Sequence, residues 1–335
     1  MNRSRFRRRF GWALVGLSLA LHFLTIVAFS RQPDIMAAYT VMPIWIWGGI
    51  GLFLSCSAFL FLRASLSLIV SGIWAVTILL GADEARVLAH FNREAPQPGQ
   101  AAPSRGASVM RAITLNCAHF EHGDPSEDLA RWEPDVVLLQ EVSPIQIKAI
   151  ADHLYGGRGD YRFHKSSGIV TRWKIEREVR NPLYRDEQVT IRDPNGTAIE
   201  VVNLHLTSAA TNLELWKSSA WRLHRDVRKE RRQELSTALQ LLEQTVPFHT
   251  RPVLLGGDFN SPANDPVHSL LARDFTDAFE AAGTGWSNTF QRRVPILRLD
   301  CLYATDHFIP VRAKAVTTRR SDHRMVVADF ILRDR

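Results

Sequence analysis

The chain has 335 residues, 46% of them hydrophobic, and a formal charge of +7 with its histidines neutral. Residues 1–63 hold seven Arg and one Asp, so nearly all of the excess charge lies at the N-terminus and the rest of the chain is close to neutral. This argues against a broad basic footprint for nucleic acid. Three cysteines, Cys56, Cys117 and Cys301, are too few for a disulfide framework and leave open whether the last two pair.

The arm MNRSRFRRRF carries five arginines. Three apolar runs follow it. Residues 11–30 have His22 as their one titratable side chain, and residues 41–62 and 64–80 have no charge. A bilayer core takes roughly 20 apolar residues as a helix, within a range of about 17 to 25, so all three are expected to span. The arginine arm stays in the cytoplasm. Arg63 then marks a tight inner turn, and an odd number of spans puts everything after Leu80 outside. AFS before Arg31 resembles a signal-peptide cleavage site, but the apolar core is longer than the usual ~7 to 15 residues, and cleavage leaves the outcome unchanged. Residues 1–82 thus read as a membrane region and 83–108 as a linker, rich in Pro, Ala, Gly and Ser from 91 onward.

Val109 opens a different pattern, expected to run to residue 335 as one domain. VMRAITLNCA reads as a strand ending at Asn116, with a short helix after it. PDVVLLQE reads as a strand ending at Glu141, and Pro144 opens a helix to about Leu154. YRFHK and GIVTR are short strands. EQVTIRDPNGTAIEVVNLHL is a hairpin turning at Asn195-Gly196 and ending at His205. A helical pattern covers about 211–245. PVLLGGD is the next strand, short helices follow around 265–280, and ILRLDCLYA is a strand with Asp300 near its middle. HRMVVADFIL is a strand just after Asp322-His323. Strands outnumber helices, and hairpins mix with crossovers. The reading is α+β, with sheets face to face and helices outside.

In LLGGDFNSP, Leu254 to Pro262, a buried strand delivers Asp258 and Asn260 two positions apart, on one side of an extended chain. An Asx turn closing the strand explains that pair equally well when it is taken alone. Asn116, Glu141, His205, Asp300, Asp322 and His323 also sit at the edges of apolar strands. Singly they read as turn residues, a solvated strand end, a core histidine and a surface pair. Together, polar tips collect on one rim of a sheet and share a cleft. Three Asp, one Glu and two Asn are oxygen donors suited to Mg2+ or Mn2+. The chain has no CxxC or HExxH pattern for zinc. Two histidines beside carboxylates handle protons near neutral pH, which equips the site to split a phosphate ester with water.

Taken in order, TLNCA, VVLLQE, VNLHL, LLGGDFNSP, RLDCLYA and RRSDHRMVVADF resemble the motifs of the endonuclease/exonuclease/phosphatase superfamily, from about Ile113 to Phe330. The resemblance implies a four-layer sandwich of two mixed β-sheets flanked by helices. It implies Glu141 as the main metal ligand, with Asn116 close to metal and phosphate and Asp322 as a second metal-side carboxylate. His205 then contacts the scissile phosphate, Asp258 orients or activates water, and Asn260 binds phosphate. Asp300 orients His323, and of the two candidates for the base, His323 and Asp258, His323 held by a buried carboxylate is favoured.

The expected activity is metal-dependent hydrolysis of a phosphoester or pyrophosphate of a lipid or small molecule, at the outer face of the cytoplasmic membrane. A nuclease is the alternative. Its best support is Lys217 to Arg232, with seven Lys/Arg, two acidic residues and Trp216 and Trp221 nearby. A non-catalytic membrane-binding module is the third reading. TNLELWKSSAWRL, with Leu213, Leu215, Trp216, Trp221 and Leu223, is a candidate for lipid contact.

Overall fold

The computed structural model describes residues 3–88, 93–99, 109–209 and 212–333. They form two compact units: Met1–Ala89 with Asn212–Asp226, and His90–Thr211 with Val227–Arg335.

In the first unit, α1 covers Arg3–Arg31, α2 Ala37–Thr40, α3 Ile44–Leu62, α4 Ser65–Gly81 and α5 Asp83–Leu88. Arg63, left-handed at φ 51°, makes the turn between α3 and α4. Three spans are expected from sequence. Two helices, α1 and α3, are long and apolar enough to cross a membrane, while α4 is a shorter apolar helix of 17 residues. Lying at the N-terminus, α1 also meets the length and composition of a secretion signal. Small and polar residues line the contacts among α1, α3 and α4. Ser18 Oγ donates to Gly51 O at 3.0 Å, and Trp74 Nε1 donates to Ser18 Oγ at 3.0 Å. A Cβ on Gly51 would lie 2.0 Å from the Trp74 ring, so the close approach requires glycine. Outside, Phe23, Phe53 and Leu80 are 70–72% exposed. The most apolar windows of α1 and α3 are only 22% and 28% buried, unlike core helices of a water-soluble protein.

The expected linker at 83–108 begins with α5 rather than coil. Residues 89–92 and 100–108 lie outside the described residues. Between them, Glu94 meets Arg312 at 3.5 Å and Gly99 N–H donates to Arg131 O at 2.9 Å, so residues 93–99 belong with the second unit.

The second unit is built on two six-stranded sheets. Its strands are β1 Val109–Asn116, β2 Val136–Gln140, β3 Asp160–His164, β4 Ser167–Thr171, β5 Ile175–Arg180 and β6 Glu187–Arg192. They continue with β7 Ala198–His205, β8 Val253–Asp258, β9 Thr276–Asp277, β10 Asp300–Ala304, β11 Phe308–Thr317 and β12 Arg324–Leu332. The orders are β11-β12-β1-β2-β4-β3 and β5-β6-β7-β8-β10-β9. Each sheet is mixed, with one parallel pair, β1–β2 or β7–β8, among antiparallel neighbours. The helices are α6 Ser126–Ala130, α7 Pro144–Tyr155, α8 Ser218–Thr245 and α9 Ala278–Ala282. A capping box of Ser143 and Gln146, with Pro144 in the first turn, starts α7.

Alternation along the strands divides the core into layers. Ile113, Leu115, Val137 and Leu139 pack with Ile147, Ile150 and Tyr155 of α7. On the other sheet, Val202, Leu204, Val253 and Leu255 pack with Leu235, Ala238 and Leu242 of α8. The opposite parity therefore faces the gap between the sheets. There Asn203 Nδ2 donates to Leu139 O and Gly168 O, both at 2.9 Å, and Gln140 Nε2 donates to Asn203 Oδ1 at 2.6 Å. This buried amide pair ties the sheets together with its hydrogen bonds made. The result is the expected four-layer sandwich.

Two glycines before Asp258 fit β8 into this gap. A Cβ on Gly256 would lie 2.6 Å from Leu302 and 3.0 Å from Leu138 across the sheets. At Gly257, φ is +136° and a Cβ would meet Leu204 O at 2.0 Å. Neither position accepts a side chain.

Several expectations need correction. Asp300 is the first residue of β10, not its middle, and α8 begins at Ser218, seven residues after the expected start. β11 does not stand out in sequence, because Pro310, Arg312 and Lys314 interrupt the apolar pattern of an edge strand with a bulge at Pro310/Arg312. Cys117 and Cys301 are free, buried in different core clusters.

Candidate active site

The parity that faces the gap also carries the polar tips. Asn116, His205 and Asp258 continue the gap-facing phase of β1, β7 and β8 to their C-terminal ends. Parallel β7 and β8 pair His205 with Asp258, and antiparallel β8 and β10 pair Asp258 with Asp300. Glu141 follows β2 at φ 55°. The left-handed residue breaks the strand's alternation and lets a position of the wrong parity join the same rim.

Asn116 sits between two carboxylates. Its Nδ2 donates to Glu141 Oε1 at 3.1 Å and to Asp258 Oδ2 at 3.0 Å, while its Oδ1 accepts from Ala118 N–H at 2.9 Å. These partners fix the orientation of the amide. Asn116, expected among the metal ligands, presents nitrogen to Glu141 and so acts as a positioning residue in this structure. Asp258 Oδ1 accepts from the backbone N–H of Asn260 at 2.8 Å. Asn260, left-handed at φ 50°, donates one amide hydrogen to Leu206 O at 2.9 Å and keeps the other.

His323 Nδ1 lies 2.8 Å from Asp300 Oδ2. One carboxylate oxygen each of Asp258 and Asp300 and a ring nitrogen of His323 fall within 4.8 Å of one another. His205 Nε2 stands 3.7 Å from Glu141 Oε1, and its buried Nδ1 has no hydrogen-bond partner. Asp322 is half-buried, and its backbone carbonyl accepts from Arg292 N–H at 2.7 Å. No hydrogen bond or ion pair joins its carboxylate to Asn116 or Glu141 among the described residues.

The two histidines are driven apart electrostatically. Burial pushes His205 down to about 4, opposed by Asp258 and reinforced by exposed Arg185, so its ring is neutral at pH 7. Burial also opposes protonation of His323, but the charge and hydrogen bond of Asp300, with Asp258 behind it, carry it up to about 10. Burial, then the neighbouring Asp300, raises the Asp258 carboxyl.

One consequence is a pH-dependent stability. His323 is raised above its usual 6.5, so its stabilising contribution is full below pH 6.5 and fades as pH rises toward 10. In metal-stripped protein, the Tm advantage over His323→Gln should shrink across that window. An advantage independent of pH would contradict the ion pair.

Sequence reasoning missed the supports of this rim. From α8, Arg231 Nη1 donates to Asn260 O, Arg228 Nε bonds Asp265 Oδ2 at 2.9 Å, and Glu234 accepts from Thr207 N–H at 2.8 Å. One helix face thus holds the segments that follow both His205 and Asp258. The signal lay in the spacing: 228, 231 and 234 share a helical stripe with Leu235, Ala238 and Leu242. Ser321 Oγ donates to Asn116 O at 2.6 Å and accepts from His323 N–H at 3.0 Å. His119, beside Glu141, was also missed.

The donor set fits a hard divalent cation. Asp258, Asp300 and His323 converge, Asn116 links Glu141 to Asp258, and His323 pairs as the imidazolium with Asp300 while His205 is neutral. Asp300 Oδ1 is buried without a hydrogen-bond partner, and Glu141 keeps 28% of its side chain exposed. Carboxylates gathered in a partly buried cleft, with the charge of Asp258 disfavoured by burial and by Asp300, favour a bound cation.

Paired sheets that bring carboxylates, amides and an Asp–His pair to one rim define a phosphoester hydrolase. The chain belongs to the Endonuclease/Exonuclease/phosphatase family, whose model matches residues 113–323, and members of that family hydrolyse phosphate esters. Solved structures share the fold. A family member from Bacteroides vulgatus has 17% identity and a TM-score of 0.54, covering 68% of this chain and 100% of that one. Truncated Caenorhabditis elegans TDP2 has 18% identity and a TM-score of 0.52, covering 67% and 97%. The Bacteroides thetaiotaomicron mannosyl-6-phosphatase Bt3783 has 14% identity and a TM-score of 0.52, covering 67% and 100%. No curated protein matches the chain.

Proposed function

We propose that this chain is a membrane-anchored phosphohydrolase dependent on Mg2+ or Mn2+. It hydrolyses a phosphoester or pyrophosphate of a lipid or small molecule at the outer face of the cytoplasmic membrane. The observation that carries the chemistry is the Asn116 amide held between Glu141 and Asp258, beside the His323–Asp300 pair.

Glu141 would hold the ion, with Asp322, in the loop before β12, as a second carboxylate. When bound, the ion supplies positive charge to the phosphoryl oxygens and lowers the cost of removing protons beside it. Asp258, fixed by Asn116 and by the Asn260 backbone, orients the attacking water. The remaining N–H of Asn260 meets a phosphoryl oxygen. His205, neutral at pH 7, contacts the same group with a hydrogen bond rather than a charge. His323 holds its proton tightly while Asp300 is ionised. It therefore stabilises developing negative charge, and it accepts the water's proton only once its own has been released.

The fold is shared with a phosphatase and with TDP2, one structure of which holds a single-strand DNA product, so substrate choice must come from this chain. Part of the basic run that favoured a nuclease is committed. Arg228 and Arg231 are buried within the unit, and Lys217 and Arg225 pair with Glu214 and Asp226. Trp216 is 79% exposed, and an indole in the open suits a headgroup zone. The apolar outer faces of α1 and α3 support anchoring.

The test is the full-length protein in liposomes, given lipid phosphates and pyrophosphates, soluble phosphomonoesters and duplex DNA side by side. Metal-dependent cleavage of a phosphorylated lipid or small molecule is expected, and brisk cleavage of DNA alone would replace this reading by the nuclease. A C-terminal reporter should be active only when exported, and cytoplasmic reporter activity would overturn the orientation.

A further inference from the structure

Glu141 is flanked by two imidazoles, and only His205 came from a strand tip. The other is His119, whose Nε2 lies 3.5 Å from Glu141 Oε2. Its side chain is 63% exposed, at the mouth of the cleft. The backbone that carries it is unusual. Ala118, His119 and Phe120 all adopt left-handed φ, at 45°, 50° and 62°, and none is glycine. This conformation is unfavourable for each of them.

The surroundings enforce it. Cys117 N–H donates to Gln140 O at 2.9 Å, Ala118 N–H to Asn116 Oδ1 at 2.9 Å, and His119 N–H to Glu141 O at 3.0 Å. Phe120 packs against the core beneath α7. The loop is therefore pinned to β1 and β2 at successive residues, and the result is an imidazole held against the free oxygen of Glu141. A solvent-exposed His–Glu ion pair contributes too little to account for three strained residues.

The Asn116 amide sharpens the point. It turns nitrogen toward Glu141 and uses its oxygen on Ala118, which removes an oxygen donor from the Glu141 side of the cleft. An imidazole nitrogen stands there instead. We propose that His119 is a nitrogen ligand to the divalent ion held by Glu141, so that the site selects Mn2+ over Mg2+. Both ions favour oxygen donors, but Mn2+, a first-row transition metal, accepts a nitrogen donor beside them, whereas Mg2+ is smaller and dehydrates reluctantly. The assignment rests on the reading of Glu141 as the metal carboxylate, and it adds the ligand that decides which metal.

The experiment uses the full-length, metal-stripped protein in detergent. Mn2+ is titrated and followed by electron paramagnetic resonance of the free ion, and Mg2+ by competition. Bound Mn2+ is then probed by electron spin echo modulation for a coordinated 14N. The wild type should bind Mn2+ at least about tenfold more tightly than Mg2+ and show nitrogen modulation. His119→Ala and His119→Gln, each confirmed folded by thermal melting, should lose that modulation and about tenfold or more in Mn2+ affinity, with Mg2+ affinity nearly unchanged. His205→Ala should retain the modulation. A wild-type spectrum without nitrogen coupling, or equal loss of both metals in the folded His119 variants, overturns the assignment. Glu141→Gln separates the two readings: if it binds both ions as the wild type does, the metal role of Glu141 itself fails, whatever His119 does.

Discussion

Replacing Glu141 by Gln should lower kcat by roughly three orders of magnitude or more, the equivalent of about 4 kcal/mol of transition-state stabilisation that an ion and its carboxylate supply. The substitution keeps the shape of the side chain, and the Asn116 Nδ2 bond to the retained oxygen survives it. What disappears is the charge that holds a cation. Glu141 is partly exposed and packs in no core cluster, so Tm should move by no more than about 3 °C. Chelation of wild-type protein should produce a loss of the same order, restored by Mn2+ or Mg2+. Full activity in excess chelator, or in Glu141→Gln, would falsify the metal-dependent mechanism.

The second large effect concerns His205 and His323. Each Ala variant should lose roughly 10²-fold or more in kcat, the scale of a positioned acid or base. The double variant should fall well short of the product of the two losses, because both residues serve one transition state. The rim geometry motivates this. His205 pairs in register with Asp258, and His323 stands within 4.8 Å of the same carboxylate. The variants should also differ in kind. His205 is buried and neutral and its Nδ1 has no partner, so its loss chiefly leaves a cavity. Removing His323 leaves Asp300 buried, with Oδ1 already unpartnered and Oδ2 newly so. His323→Ala should accordingly be the less stable protein at pH 7. Small, additive losses would show that at least one of the two is a core histidine.

The alternative use of α8 shows how far sequence alone reaches. Seven basic residues between Lys217 and Arg232 read as a patch, since composition counts charges without saying which way they face. In the folded unit Arg228 and Arg231 turn inward and brace the segment after Asp258. Two of the residues that suggested a nucleic-acid surface are supports of the candidate site.

Much else was legible because it depends on local rules. Apolar runs of fixed length marked α1, α3 and α4, the Asn195-Gly196 turn marked the β6–β7 hairpin, and Pro144 marked the start of α7. The polar tips were visible because buried strands carry polar residues only at their ends. Asn116, Glu141, His205, Asp258, Asn260, Asp300, Asp322 and His323 therefore stood out as a set, although each alone read as an ordinary turn, strand-end, core or surface residue.

Tertiary structure decided what these residues do to each other. Sequence could not show that Asn116 would turn its nitrogen to two carboxylates, because an amide's orientation depends on partners 25 and 142 residues away. Nor could it separate His205 from His323, two imidazoles of the same ordinary pKa that burial and Asp300 push in opposite directions. His119 was hidden for a related reason. Its position against Glu141 depends on three left-handed residues that no local preference favours, held there by hydrogen bonds to Asn116, Gln140 and Glu141 and by Phe120 in the core. Local propensity and hydrophobic period are properties of neighbours along the chain. Charge, burial and hydrogen-bond orientation at the rim are properties of neighbours across it.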